Sequence, residues 1–171
     1  GTVEKEHDVC VYDYDVDIGD DKKLREVIER EKPDIVGLTA NTATFVSAKS
    51  IAKIVKDVDK DIKVFIGGIH ATMCPDECIK VSYFDFILKG EAEYTALSLI
   101  NHLKDNKFDE INGLWYKING EVIRNKDVDY IEDLDSLPFP ARHLIKNPLA
   151  YLPSSARRLP VTIMMTSRGC P

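Results

Sequence analysis

The chain has 171 residues, of which 44% are hydrophobic and 30% charged, enough for one α/β domain with a core and a short additional segment. Its formal net charge of -6 disfavours nucleic acid as a partner, and no apolar run reaches the roughly 18 residues that a membrane span needs. The charged first ten residues do not form a signal peptide, and the four cysteines lack the spacing of a secreted disulfide framework, so we expect a cytoplasmic protein.

Strand and helix patterns alternate over the first two thirds of the sequence. Apolar runs predict strands over residues 9–14, 34–39, 63–67 and 84–88. The segments between and after them predict helices over residues 20–32, 45–58, 75–81 and 94–103. The predicted inward faces of the first two helices are Leu24, Val27, Ile28, Ala48, Ile51, Ala52, Ile54 and Val55. This alternation is typical of an α/β fold, a doubly wound parallel sheet with helices on both faces.

A buried strand that ends in two glycines marks the predicted binding site. Gly67 ends the strand, Gly68 follows it, and a helix-like segment begins after them. Without a Cβ, such a backbone lets a ligand come close, and ligands of open parallel sheets lie at the carboxyl ends of the strands. The sequence therefore predicts the floor of a binding site here, with a tight turn between strand and helix as the alternative.

The pattern changes after residue 110. Two short strand patterns flank Asn119-Gly120, a strong β-hairpin signal, and we place this hairpin at the edge of the domain or just outside it. Prolines between residues 137 and 160 indicate a fixed linker, and residues 161–166 predict one more strand with a loop after it. Both ends resemble cuts, so we expect a strand and most of a helix upstream and a longer protein downstream.

Five motifs in order resemble the cobalamin-binding class of radical S-adenosylmethionine (radical SAM) enzymes. They are PDIVGLT at 33–39, GGIHAT at 67–72, FDFILKGEAE at 84–93, LDSLPFP at 134–140 and TSRGCP at 166–171. The resemblance implies a Rossmann-like (flavodoxin-like) cobalamin domain over residues 1–110 and a hairpin and linker over 111–160. Residues 161–171 would begin a truncated radical SAM barrel.

The resemblance also implies which residues face cobalamin. They come from three strand ends and are Thr39, Asn41, Thr42, Gly67, Gly68, His70, Gly90 and Glu91. Helix capping is the alternative role for residues 39–42, since residues 41–44 form a polar loop before a helix. Charge complementarity with a helix N-terminus is the alternative for Glu91.

Two further features concern metals. No histidine has the Asp-x-His-x-x-Gly pattern that places a histidine ring under the cobalt, so we expect no histidine as the lower ligand. We expect His70 to orient a loop or to contact an amide arm of cobalamin. The alternative is a histidine in a turn whose ring nitrogens have hydrogen-bond partners. Cys170 matches the first cysteine of the family's cluster motif, so the resemblance implies that it is a cluster ligand.

Two other clusters invite a metal-site reading that we do not favour. Cys74 and Cys78 stand four residues apart, but the third cysteine of a cluster motif is missing, so we expect buried small apolar residues. The acidic run at residues 13–21 suggests a cation site or a phosphoacceptor domain. Thr39 stands where such a domain would want aspartate, so we expect a solvated loop.

The resemblance implies a domain that places cobalamin beside a barrel holding a 4Fe-4S cluster and S-adenosylmethionine, for radical methyl transfer or a step such as oxidative cyclisation. The expected partners are cobalamin and the radical SAM domain of the same chain, with no nucleic acid and no membrane. We expect no catalytic residue and no bound cluster within these 171 residues. The alternative is a flavodoxin-like module that holds a nucleotide or has a regulatory role.

Overall fold

A computed structural model describes residues 1–146, 148–151, 164, 167 and 168. The predicted strand over residues 161–166, apart from residue 164, and Cys170 lie outside this part of the chain. None of the helices among the described residues is both long enough and apolar enough to span a membrane.

One five-stranded sheet organises the structure, in the order β1-β2-β3-β4-β5. The strands are Ile35–Thr39, Lys63–Gly67, Phe86–Leu88, Leu114–Ile118 and Glu121–Arg124. The first three strands are parallel, whereas β4 and β5 continue the sheet as an antiparallel hairpin. Positive φ angles at Asn119 and Gly120, 51° and 85°, close this hairpin, as the Asn-Gly signal predicts. The fold is therefore α/β and Rossmann-like, with the hairpin at the edge of the sheet.

Five α-helices accompany the sheet in the part of the chain that the structure describes. They are α1 (Asp21–Glu31), α2 (Phe45–Val58), α3 (Ile69–Met73), α4 (Pro75–Lys80) and α5 (Glu93–Asn101). Helix α1 begins where the Asp20 side chain accepts a hydrogen bond from the Lys23 amide, a strong N-terminal cap. The bounds of α2 agree with the prediction, and its Ile51 is the one predicted inward residue that is only partly buried.

Alternate residues of each strand point to opposite faces of the sheet and fill two cores. Val64, Ile66, Ile87 and Trp115 join the apolar faces of α1, α2 and α4. Phe86, Leu88, Leu114 and Tyr116 join Leu99 of α5, with Phe108 and Ile111 from the following segment. Helices thus cover both faces of the sheet.

The prediction of a strand over residues 9–14 is wrong. Residues 8–13 have no regular structure, and Tyr14–Ile18 forms a single π-helical turn capped by the Asp13 side chain, which accepts from the Asp15 and Val16 amides. A strand needs a hydrogen-bonded neighbour, and none of the described strands pairs with this segment.

Strand β1 is only partly buried. Gly37 and Thr39 are exposed, because β1 is the edge strand of the described sheet. The ring of Phe65 lies over Gly37, where a Cβ would stand 2.2 Å from the ring Cζ. Glycine at this position therefore lets the neighbouring aromatic ring fold across the strand.

Candidate functional site

The three parallel strands end at one edge of the sheet and bring the predicted loops together. Thr39 pairs in register with Gly67, and both are the last residues of their strands. Beyond them the Ala40 amide donates to the Gly67 carbonyl at 3.2 Å, and the His70 amide donates to the Ala40 carbonyl at 3.1 Å. The loops after β1 and β2 are therefore joined through their backbones.

The two adjacent glycines have different structural roles. Gly68 has φ +89°, and a Cβ on it would stand 2.7 Å from Thr39 Oγ1 and 2.8 Å from the Ala40 carbonyl oxygen. A Cβ on Gly67 would meet only ordinary contacts at 3.8 Å from Leu88. Gly68 is thus required for the loop to close against β1, whereas Gly67 is not required on steric grounds.

Thr72 was not among the predicted site residues, yet it joins two of the loops. Its hydroxyl donates to the Gly68 carbonyl at 3.0 Å and accepts from the Gly90 amide at 3.0 Å. The first bond follows from a known tendency, because threonine in a helix often bonds the carbonyl four residues back. The second joins loops 18 residues apart, which no local pattern predicts.

His70 lies in α3 beneath the site rather than on its surface. The side chain is 4% exposed and its ring stacks on Phe45 with centroids 4.0 Å apart. Its Nδ1 lies 3.3 Å from Thr42 Oγ1. Its buried Nε2 has no hydrogen-bond partner, and the nearest carboxylate oxygen, from Glu77, is 3.6 Å away. The ring therefore contacts the Thr42 loop from below, and its orienting role toward a ligand stays a prediction.

Asn41 and Thr44 close the first loop on itself. The Asn41 amide donates to Thr44 Oγ1 at 3.1 Å, and the Thr44 amide donates to Asn41 Oδ1 at 3.0 Å. At the N-cap of α2 the Thr44 side chain makes no capping bond to the helix. These side chains fix the loop rather than cap α2, and they leave Thr39, Asn41 and Thr42 exposed at the edge.

The third loop is packed against the linker. Gly90 has φ +84°, and a Cβ there would stand 2.6 Å from Val128 Cγ1. One oxygen of Glu91 accepts from the Ile131 amide at 2.9 Å, and the other lies 3.4 Å from an Arg168 guanidinium nitrogen. The Glu91 side chain therefore connects the strand end to residues much later in the chain.

Exposed apolar side chains lie beside these loops. Ile69 is 61% exposed and Met73 72% exposed, and their spacing of four residues places them on one face of α3. Val46 in the first turn of α2 is also largely exposed. Apolar side chains next to a few exposed polar ones are typical of a surface that binds a large ring with amide arms, such as cobalamin.

The two cysteines of the pair differ in burial. Cys78 is buried, and burial raises the pKa of its thiol to about 11, with a smaller contribution from the charge of Glu77. Cys74 is exposed, so the prediction that both cysteines are buried is wrong for this one, which lies between α3 and α4. The described residues contain no group of three or more histidine, cysteine or acidic side chains that could hold a metal.

The acidic run at residues 13–21 serves mainly local structure. Asp13 and Asp20 cap the π-helical turn and α1, and Asp21 accepts a hydrogen bond from the Tyr14 hydroxyl. The aspartates therefore satisfy backbone and hydroxyl donors, as tends to happen where helices begin.

A cavity of about 620 Å³ lies at the opposite edge of the sheet. The C-terminal ends of α1 and α2 line it, with Lys32, Asp34, Asp59 and Asp61 among its residues. None of the predicted site residues lines it. We place the candidate site at the carboxyl edge nonetheless, because ligands of open α/β sheets lie at the carboxyl ends of the strands.

Comparisons with known proteins agree with the sequence motifs. Residues 2–100 match the model of the B12 binding domain. An uncharacterized methyltransferase of Pyrococcus horikoshii is 34% identical over 99% of the chain, and an anaerobic magnesium-protoporphyrin IX monomethyl ester cyclase of Rubrivivax gelatinosus is 34% identical over 91%. The chain spans only 36% and 28% of the lengths of these two relatives.

Among solved structures, the fold is similar to that of a radical SAM enzyme that contains cobalamin. The radical S-adenosylmethionine methyltransferase TsrM of Kitasatospora setae, solved with cobalamin and a 4Fe-4S cluster, superposes with a TM-score of 0.64 at 17% identity. The superposition covers 77% of this chain and 25% of TsrM. The alternative of a flavodoxin-like nucleotide module is not favoured, because the family match covers more than half of the sequence. The chain belongs to the B12-binding domain family and resembles the B12-binding domains of cobalamin-dependent radical SAM enzymes.

Proposed function

We propose that the domain holds cobalamin against the carboxyl edge of β1, β2 and β3. The observation that carries the proposal is the exposed apolar pair Ile69 and Met73 beside an edge whose loops are fixed by hydrogen bonds among themselves. Preformed loops bind without first losing conformational freedom, which favours a rigid, bulky ligand. The family match supports cobalamin as that ligand.

The predicted residues would contribute in different ways. Exposed Thr39, Asn41 and Thr42 would meet the amide arms. Gly67, Gly68 and Gly90 would contribute through the shape of their loops, because Thr39, Ala40 and Val128 already fill the space that a Cβ on Gly68 or Gly90 would need. His70 would act from below by fixing Thr42, since its ring is buried. Glu91 would shape its loop, because its carboxylate already binds Ile131 and Arg168.

We further propose that the chain is the cobalamin-binding part of a longer radical SAM enzyme, a methyltransferase or an oxidative cyclase. Residues 1–110 would form the cobalamin domain, 111–160 the hairpin and linker, and 161–171 the start of the barrel. Cys170 would be the first ligand of a 4Fe-4S cluster that, with S-adenosylmethionine, lies in the rest of that protein. Cobalamin, when bound, would supply methyl transfer or support another radical step.

Titration of the purified chain with hydroxocobalamin, followed by absorbance and equilibrium dialysis, tests the proposal. Met73→Glu introduces a charge into the proposed apolar surface and should weaken binding about tenfold or more. Ile118→Glu is the matched control, because Ile118 is also exposed but lies where the antiparallel β4 reaches the opposite edge. Equal affinity in the two variants, or no binding by the unmodified chain, would contradict the proposed site.

A further inference from the structure

Two carboxylates at the start of α5 enclose the guanidinium group of Arg168. Glu91 Oε1 lies 3.4 Å from Nη1, and Glu93 Oε1 accepts a hydrogen bond from Nη2. The contact joins residues 75 positions apart. All three side chains are largely shielded, with exposed fractions of 30% for Arg168, 19% for Glu91 and 29% for Glu93.

The surroundings favour this arrangement in two ways. Glu93 is the first residue of α5, where the helix dipole stabilises a carboxylate independently of the arginine. Glu91 is held from its other oxygen by the Ile131 amide, so it does not lose much freedom when it meets the arginine. The two carboxylates, with the hydrogen bond to Glu93 contributing most, raise the pKa of Arg168 above its ordinary value.

We propose that Glu91 and Glu93 form an arginine site that latches the segment carrying Arg168 onto the carboxyl edge of the sheet. Arg168 would act as a positioning residue for the residues that follow it. A planar guanidinium with several donors suits two carboxylates, so lysine would not replace it equally.

The consequence for Cys170 rests on the proposed function. Cys170 follows Arg168 by two residues, and two residues of chain span at most about 7 Å. The latch would thus set the distance between the cluster ligand and the cobalamin edge. The Lys-Gly-Glu-Ala-Glu motif at residues 89–93 would thus connect the sheet to the segment that carries Arg168.

Trypsin tests the latch directly, because cleavage after Arg168 requires the guanidinium to enter the pocket of the protease. Cleavage of the purified chain is followed by mass spectrometry, and the rate after Arg168 is divided by the rate after Arg157 and Arg158. Glu93→Gln should raise this ratio about fivefold, as expected for loss of a partly shielded ion pair. Asp76→Asn is the control, because it removes the carboxylate partner of Arg124 and leaves Arg168 untouched.

An unchanged ratio in Glu93→Gln, or an equal rise in the control, would overturn the latch.

For the positioning role, the longer protein is reconstituted with iron and sulfide, and iron per chain is measured. Glu93→Arg should lower the iron content at least twofold, and Glu93→Arg combined with Arg168→Glu should restore it. Unaltered iron in the single variant would refute positioning. Cobalamin titration of the same proteins tests the proposed function separately. A protein that does not bind cobalamin would contradict the proposed function but would leave the trypsin result unaffected.

Discussion

The Thr72 hydroxyl lies 3.0 Å from both the Gly68 carbonyl oxygen and the Gly90 amide nitrogen, so one side chain joins the loops after β2 and β3. Thr72→Val keeps the shape and removes both bonds. We expect it to lower the free energy of unfolding by about 1–2 kcal/mol in urea titrations, because a donor and an acceptor lose their partner. Thr72→Ser retains the hydroxyl and should lose less than half as much; equal losses would show that the methyl group, not the bridge, matters.

A glycine series separates backbone strain from close contact at the site. Gly68→Ala adds a Cβ at φ +89° and at 2.7 Å from Thr39 Oγ1, so we expect a loss of about 2–4 kcal/mol in unfolding free energy. Gly19→Ala has a similar φ but open space, and should cost about 1 kcal/mol.

Gly67→Ala completes the comparison, because its Cβ would meet neither strain nor a clash. Its unfolding free energy should stay close to that of the unmodified chain. A Gly67→Ala loss equal to that of Gly68→Ala would contradict the assignment of separate roles to the two glycines.

The buried thiol of Cys78 predicts a pH dependence of stability. Its pKa rises from 9.0 to about 11 because burial disfavours the thiolate. The folded state therefore binds the proton more tightly than the unfolded state, so this contribution is complete below pH 9 and is lost as the pH rises towards 11.

Chemical denaturation between pH 8 and 11 measures this effect against Cys78→Ala, which lacks the group. The difference in unfolding free energy between the two proteins should shrink as the pH rises. A constant difference over this range would mean that the thiol titrates alike in both states. Other groups titrate there too, but they contribute equally to both proteins.

Because His70 is buried, we predict that no histidine coordinates the cobalt from the lower face of bound cobalamin. Its ring stacks on Phe45 and contacts Thr42, so it does not project from the edge. Electron paramagnetic resonance of the chain with cob(II)alamin should show no nitrogen splitting from a histidine. A splitting that disappears in His70→Ala would contradict this expectation.

Local patterns predicted the helices and the central strands well. The bounds of α2 and β2 follow from long periodic or apolar runs whose neighbours in the fold agree with them. Asn119-Gly120 predicted the hairpin, because few sequences supply two consecutive positive φ angles. The same rules failed at residues 9–14, where an apolar alternation has no strand beside it in the described sheet.

Contacts between distant segments could not be predicted. The sequence indicated Gly67 and Gly68 as a close approach, but which of the two meets β1 depends on a φ angle that only the folded loop determines. The bonds from Thr72 to Gly90 and from Glu91 to Arg168 span 18 and 77 residues, a separation at which periodicity carries no information.

Amide hydrogen exchange with and without hydroxocobalamin tests the proposed cobalamin site, because it locates the ligand on the chain. We expect slower exchange in the loops after β1, β2 and β3, at residues 39–42, 67–73 and 89–91. The opposite edge, at residues 32–34 and 59–62, should not change. Protection at that opposite edge, or none anywhere under saturating hydroxocobalamin, would contradict a cobalamin site at the carboxyl ends of the strands.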